Sequence, residues 1–409
     1  MQPQASRRSF LQTVGFGTFG AAMAAGALSA QADDKVGADI LGKVGVESAT
    51  RTQGKWEPIS DRKIRFGIVG YGVCRFGAAF GFQDHPNVEI AAVSDLEPDR
   101  CANLAKACRA SKTYPSLEEL VKDDTIEAVF LATDAPSHCQ HAITSLKHGK
   151  HVACAVPAVY GSLEDADKLY EAVRETGKKY MLFETSAFRP NCYAMRKIYE
   201  AGGFGKLIYT EGEYFHYHAT PIPSYKDWRV GLPPQFYPTH SNAYYNCVTS
   251  QPFTEVSCLG MPSKLESFQP QNNRYGNPFG TEIAMFRTAE GGMARMAVSW
   301  DSQGAGREVG RVRGESGAMW DAPYVGDLKE LPDVKMPVLP PGVNPGGHGG
   351  SHGQLTEEFI SSILSDRQPL VDVTMALNLT VSGIVAHQSA MKGGETMSIP
   401  QYAPLTKST

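Results

Sequence analysis

Residues 64–77 read IRFGIVGYGVCRFG, and this stretch decides the fold. Ile64 to Val69 form an apolar run of the length and composition of a buried parallel strand. The chain then turns on Gly70 and Gly72 and enters a Phe/Ala-rich segment that reads as a helix. A strand, a glycine turn and a helix start together make an anion site, because outward-pointing N–H groups and absent Cβ atoms let a pyrophosphate approach the backbone. The turn residues Gly70, Gly72, Cys74 and Arg75 are therefore candidate cofactor contacts. In the dinucleotide pattern G-x-G-x-x-G the last position is Arg75 here, and the next glycine is Gly77. A second strand, Val88 to Ser94, ends in Asp95, 23 residues beyond Gly72. An acid at that distance accepts hydrogen bonds from the adenosine ribose and repels a 2′-phosphate, which favours NAD over NADP. A solvated carboxylate at a strand end is the structural alternative.

Outward from this stretch, apolar runs alternate with helical segments. Pro98 to Cys108 reads as a helix, and Ser116-Leu117-Glu118-Glu119 has capping-box spacing. Ile126 to Thr133 reads as a strand running into a loop that ends at His138. A helix from Gln140 to His148, a strand from His151, a helix opened by Ser162 and a strand from Tyr180 to Thr185 follow. Alternation of this kind predicts an α/β, doubly wound parallel sheet of the Rossmann type over residues 63–186. Beyond it, one helix precedes extended stretches at Lys206–His218, Phe253–Gly260, Lys264–Gln269, Thr281–Thr288 and Gly292–Trp300. Two closing helices are expected at Leu355–Leu364 and Thr374–Met391. Residues 187–409 therefore read as an α+β domain with a large, mostly antiparallel open sheet, assigned to substrate.

The 409 residues carry a formal net charge of −4 and no basic stripe, which argues against nucleic acid as a partner. Ser6-Arg7-Arg8-Ser9-Phe10-Leu11-Gln12 precedes a Gly/Ala-rich apolar run, the pattern of a twin-arginine signal peptide over residues 1–32. That predicts export to the periplasm without stable membrane insertion after cleavage, with an uncleaved anchor as the alternative. Residues 33–62 read as a linker or arm. None of the eight cysteines shows metal-type pairing, so they read as buried free thiols, with a bridge permitted by an oxidising compartment. His216 and His218 form H-x-H on one strand face with Tyr214, but no acid or cysteine partner is fixed, so no metal is expected.

The order of these motifs resembles the Gfo/Idh/MocA family over nearly all of the mature chain. The carrying residues are the glycine turn, Asp95, LATDAPSH ending at His138, and HGKHVACAVPA from His148 to Ala158. The resemblance implies a Rossmann domain joined to an open-sheet substrate domain. Typical dehydrogenases of the family read E-K-P after the K-H-V strand, and their lysine relays protons. The same positions here hold Ala155, Val156 and Pro157, and a valine cannot move a proton. A narrower resemblance is to exported NAD-dependent glycosidases of the α-N-acetylgalactosaminidase type, which also have valine there and carry Y-P-T-H. Tyr237-Pro238-Thr239-His240 matches that segment, with Trp228-Arg229 and Tyr214 upstream and HGGSHG at His348–Gly353 downstream.

That likeness implies sugar contacts from Tyr214, Arg229, Tyr237, Thr239 and His240, and cofactor contacts from His138, Ala155, Val156 and Thr185. His240 is the candidate general base, expected to be exposed in a loop or at a helix start, and Tyr214 a candidate for assisting proton transfer. His138 has helix capping as its structural alternative, and Tyr214 and Tyr237 have aromatic packing. His348 and His352 are expected to border the sugar cleft or cap a helix. The implied function is NAD-dependent oxidoreduction of a sugar or glycoside, with the cofactor recycled in place. A glycosidase working by transient oxidation and elimination is the enzyme alternative, and a non-catalytic NAD or sugar sensor the other. An open sheet face predicts a homo-oligomer.

Overall fold

The computed structural model describes residues 55–320 and 323–405; the signal segment and most of the expected linker lie outside these residues. The first sheet has six parallel strands. They are β1 (Ile64–Val69), β2 (Val88–Ser94), β3 (Thr113–Tyr114), β4 (Ala128–Leu131), β5 (His151–Cys154) and β6 (Tyr180–Leu182). The strand order is β3-β2-β1-β4-β5-β6, so successive strands are added to one side of β1 up to β3 and to the other side from β4 onward. At such a switch point a crevice opens beyond the carboxyl ends of the strands. β1 and β4 are buried almost throughout, as strands covered by helices on both faces must be.

The helix after the glycine turn, α1 (Phe76–Ala79), has four residues. The other helices of this half follow their capping signals. In α2 (Pro98–Cys108) proline occupies the first turn. The Ser116 hydroxyl accepts from the Glu119 N–H at the start of α3 (Leu117–Leu120). After α4 (His138–Lys147), the Ser162 hydroxyl accepts from the Asp165 N–H at the start of α5 (Leu163–Thr176).

After α6 (Pro190–Glu200) comes the second sheet. It is built from β7 (Leu207–Phe215), β8 (Phe253–Pro262), β9 (Phe279–Thr288), β10 (Met293–Ser299), β11 (Arg307–Gly314), β12 (Gly317–Met319), β13 (Val325–Gly326) and β14 (Met397–Ser398). The order is β13-β12-β11-β7-β10-β9-β8-β14, antiparallel except for β7 against β10. One face is covered by α7 (Thr239–Thr249), whose residues are all buried. The opposite face exposes apolar side chains such as Leu259 and Ile283, cross-strand neighbours on β8 and β9.

Two expectations fail here. Lys264–Gln269 is not a strand. It forms a short helical turn at Glu266–Phe268, because β8 pairs directly with β9 and leaves no ladder position for it. In turn, β11 was not foreseen, because its inward positions hold Glu308, Gly310 and Val312 and hide the apolar alternation.

The last two helices tie the halves together. The long helix α8 (Gly347–Leu364) starts eight residues earlier than expected, through left-handed backbone at His348, Gly349 and Gly350. Its Phe359 is buried against Phe66 of β1 and Phe183, with ring centroids 6.2 and 6.1 Å apart. α9 (Val373–Met391) is buried along nearly its whole length and packs on β8, α7 and α5. Truncating a fully enclosed aromatic removes its burial and leaves a cavity, so Phe359→Ala should destabilise the fold by about 3–5 kcal/mol. Chemical denaturation of the two proteins measures this directly.

Candidate active site

The glycine turn opens onto a cleft of about 390 Å³ along the carboxyl ends of β1, β2 and β4. Gly70 has φ +101°, and a Cβ there would lie 2.3 Å from the Ala132 carbonyl oxygen. Only glycine lets β1 and β4 approach so closely. A Cβ on Gly72 meets no protein atom within 4 Å, so this glycine leaves room on the cleft side. The close-packing role of the third fingerprint glycine falls to Gly77, where a Cβ would strike the Gly70 carbonyl. Arg75 accordingly caps α1 with left-handed backbone and lines the cleft with Cys74. The Asp95 carboxylate accepts from the Tyr71 N–H (2.6 Å) and the Glu97 N–H (2.9 Å), which holds it at the cleft edge. This cradle fits a dinucleotide.

His138 begins α4 and is buried at the cleft floor. Its Nδ1 lies 2.8 Å from the Pro157 carbonyl and its Nε2 3.2 Å from that of Thr133. The ring bridges the ends of β4 and β5, and burial pushes its pKa down despite the two carbonyls. Both ring nitrogens are spent on the protein, so His138 shapes the cleft.

A second, inner cleft of about 120 Å³ continues from the first. Cys74, Phe76, Ala155, Val156, Ile222, Arg229 and Tyr237 line both. No lysine lines either one among the described residues. Val156 at the junction supplies no proton, and Thr185 lies in the inner cleft.

His240 stands in the first turn of α7, only 4% exposed, which corrects the expectation of an exposed histidine. Burial arises because α7 lies between the second sheet and α9, so even its first turn is covered. The His240 Nδ1 lies 2.8 Å from the Glu184 carboxylate, 3.5 Å from that of Glu308 and 3.4 Å from the Thr185 hydroxyl. Nε2 is left as the ring nitrogen for the cleft that His240 lines. Burial alone would lower the His240 pKa, but Glu184 and Glu308 outweigh it, and the net shift is upward.

Glu184 and Glu308 were missed in the sequence. Glu184 follows β6 and is fully buried, its second role being to accept from the Ser186 N–H at 2.7 Å. Glu308 sits opposite Tyr214 in the β7–β11 register and forms an ion pair with Arg189. Burial raises the Glu308 pKa, but His240, Arg189 and His348 pull it below the usual carboxylate value. Local sequence carries no signal for Glu308, because the strand that turns it inward is itself hidden by Glu308 and Gly310.

The aromatic wall surrounds this centre. Tyr214 packs edge-on to His240 at 4.6 Å, and Tyr237 and Trp300 lie beside it. Burial keeps both phenols protonated, raising Tyr237 to about 12 and Tyr214 further still, so they serve as hydrogen-bond donors. Thr239 is fully buried beneath them and lines neither cleft, unlike its neighbours Tyr237 and His240. His348 stacks on His240 at 6.4 Å between ring centroids. Its Nδ1 lies 2.8 Å from Nε2 of His352, which sits beneath it against the Ala79 carbonyl. Burial first, and then His240 among its neighbours, lower the His348 pKa. Seven of the eight cysteines are buried free thiols and Cys74 is exposed. No group of three His, Cys, Asp or Glu side chains among the described residues is placed to hold a metal ion. Nor is any described helix long and apolar enough to cross a membrane.

Fold and cleft define a two-sheet protein with a dinucleotide site at the switch point of its first sheet. Residues 64–184 match the family model described as the oxidoreductase family, NAD-binding Rossmann fold, so this part of the chain is an NAD-binding Rossmann domain similar to those of Gfo/Idh/MocA proteins. Among curated relatives, glycosyl hydrolase family 109 protein 1 of Bacteroides fragilis is 31% identical over 177 residues, 41% of this chain. The chain spans 38% of that relative's length. A glycosyl hydrolase family 109 protein of Streptomyces filamentosus is 25% identical over 448 aligned positions, covering 97% of this chain and 90% of its own. Myo-inositol 2-dehydrogenase of Lactobacillus plantarum shares the fold, with a TM-score of 0.63 and 17% identity over 83% of this chain and all of its own.

Proposed function

We propose that this protein is an NAD-dependent oxidoreductase acting on a sugar or glycoside, with the cofactor recycled in place. One observation carries the reading: the inner cleft has Val156 where a proton-relaying lysine would stand, and the imidazole that lines the same cleft, His240, is held by two buried carboxylates. The backbone of Gly70–Arg75 would hold the pyrophosphate, Asp95 the ribose, and Ala155 and Val156 the nicotinamide end. NAD, when bound, supplies reversible two-electron oxidation of a carbinol carbon.

The chain's own residues supply the proton chemistry. His240 accepts the carbinol proton at Nε2, and Glu184 at Nδ1 orients the ring and stabilises the imidazolium. His348 has its pKa pushed the opposite way and stays neutral, so the two stacked imidazoles divide the proton-handling roles. His348 takes the proton made acidic by the adjacent carbonyl or passes one to a leaving group. Tyr214 and Tyr237 donate to sugar hydroxyls, and the aromatic wall excludes water.

The relatives named glycosyl hydrolases support a glycoside as the substrate and its hydrolysis as the outcome, which an in-place redox cycle reaches by elimination followed by hydration. The test is a panel of nitrophenyl glycosides and free sugars, each with and without added NAD. Nitrophenol release without net NADH supports recycling. Stoichiometric NADH at 340 nm points instead to a simple dehydrogenase. Neither product, with NAD still bound, would leave a sensor. The twin-arginine pattern supports export to the periplasm, where no soluble NAD pool replenishes a released cofactor, and this favours recycling. The apolar outer face of the second sheet supports self-association.

The raised His240 pKa sets a pH limb. A base works only when unprotonated, so kcat/KM should fall as pH drops through the His240 value, above the ordinary 6.5. Removing the Glu184 charge removes part of what raises it. Glu184→Gln should therefore move this acid limb to lower pH and reduce the maximum about tenfold or more. A limb that stays in place in Glu184→Gln would show that another group sets it.

A further inference from the structure

The inner cleft has a one-sided charge. Its lining contains Arg229 and four histidines but no aspartate or glutamate. Two of those histidines, His240 and His348, belong to the proton chemistry described above. The other two, His216 and His218, have no place in it. They extend β7 past its last ladder residue, where their N–H groups bond to the Ser299 and Trp300 carbonyls. Their rings pack at 4.2 Å, and the Tyr214 hydroxyl lies 3.2 Å from the His216 Nδ1.

Arg229 is brought beside them by a loop that turns on two consecutive left-handed residues, Lys226 and Asp227. The Ser224 hydroxyl accepts from the Arg229 N–H at 3.1 Å. The guanidinium lies 4.2 Å over the Trp228 ring and 6.0 Å from that of Tyr237. Aromatic faces hold it without neutralising it, and among the described residues it makes no ion pair. This contrasts with Arg189, whose carboxylate partner is Glu308. Burial and the neighbouring cations lower the pKa of both imidazoles, so the guanidinium carries the charge and His216 and His218 stand beside it as neutral hydrogen-bonding rings. A guanidinium without a carboxylate partner in a half-enclosed apolar cleft leaves uncompensated positive potential, which a bound anion relieves.

We infer that the sugar taken by the inner cleft carries an anionic group, a carboxylate or a sulfate ester, received by Arg229 with His216 and His218. The inference rests on the reading of the cleft as a sugar site and adds the class of sugar. The guanidinium pairs with two oxygens of the anion, and the imidazoles pair with the remaining lone pairs. A neutral hexose leaves the guanidinium without a counter-charge.

The test uses the full NAD-loaded protein. Binding of glucuronate and galacturonate is compared with that of glucose and galactose by calorimetry. Turnover is compared across nitrophenyl uronides, 6-sulfated glycosides and their neutral counterparts. At least tenfold preference for one anionic class in binding or in kcat/KM is expected, the two arms separating carboxylate from sulfate. Arg229→Gln should collapse that preference to within threefold, and His216→Gln with His218→Gln should reduce it severalfold. NAD affinity, measured on the same variants, should hold. Equal or better use of neutral sugars by the unaltered protein overturns the inference, whatever the variants do. So does a loss of NAD affinity in Arg229→Gln as large as its loss of sugar affinity, which would assign the guanidinium to cofactor phosphate. Anionic-sugar binding without turnover of any glycoside leaves this inference standing and overturns the redox-cycling reading, whereas turnover of neutral glycosides alone does the reverse.

Discussion

His240→Gln lowers kcat/KM by about two to four orders of magnitude while NAD binding persists, the range expected when a general base is lost. The side chain meets Glu184 at 2.8 Å through Nδ1 and keeps only Nε2 for chemistry. Glutamine fills much of the same space and can still hydrogen-bond, but it cannot accept a proton. The effect should therefore appear in kcat, with KM for the sugar changed little. His240 lines the inner cleft and not the dinucleotide cleft, so retention of NAD is the built-in control. Turnover within threefold of the parent protein would remove His240 from the mechanism and leave His348 as the remaining imidazole of the stacked pair.

Gly70→Ala has the second large effect, and it acts earlier, on folding and cofactor retention. The methyl group would stand 2.3 Å from the Ala132 carbonyl oxygen and 3.0 Å from the Thr133 nitrogen, both backbone atoms that cannot rotate away. The φ of +101° is also one that a residue with Cβ resists. Strain and steric overlap together cost about 2–5 kcal/mol, relieved only by separating β1 from β4. That separation opens the switch point itself. Loss of bound NAD, together with a Tm several degrees lower, is expected. Gly72→Ala is the comparison: its Cβ meets no protein atom, so stability should hold while NAD affinity falls. If Gly70→Ala binds NAD as tightly as the parent, the turn is not the pyrophosphate cradle.

Much of the first half was legible because its signals are local. An apolar run ending in glycines, an acid 23 residues further on, and serines three residues before carboxylates each constrain the backbone within one turn or strand. The helix over Pro98–Cys108 and the caps at Ser116 and Ser162 appear as read. The second half was less legible. β11 presents Glu308 and Gly310 inward, and a Cβ at Gly310 would enter the Tyr244 ring, so the packing demands what alternation would call a turn. Among candidate residues, Arg229, Tyr237 and His240 come together at one cleft although local spacing does not relate them to Val156. Thr239 does not join them, because the first turn of α7 points that residue into the core. His348 was read only as a cleft or cap residue; it reaches His240 because three successive left-handed residues bend the start of α8.

The sequence alone determined the parallel nucleotide domain, the turn that cradles a dinucleotide, its preference for an acid at the ribose, and the absence of a lysine beside Pro157. These depend on neighbours within a few tens of residues, where backbone geometry and side-chain type suffice. Only the tertiary structure decided that His240 is buried with its pKa raised by Glu184 and Glu308, that His348 stands over it, and that Arg229 faces the cleft without a carboxylate. Those properties are electrostatic, and a charge is set by what lies within a few ångströms in space, whatever the distance along the chain.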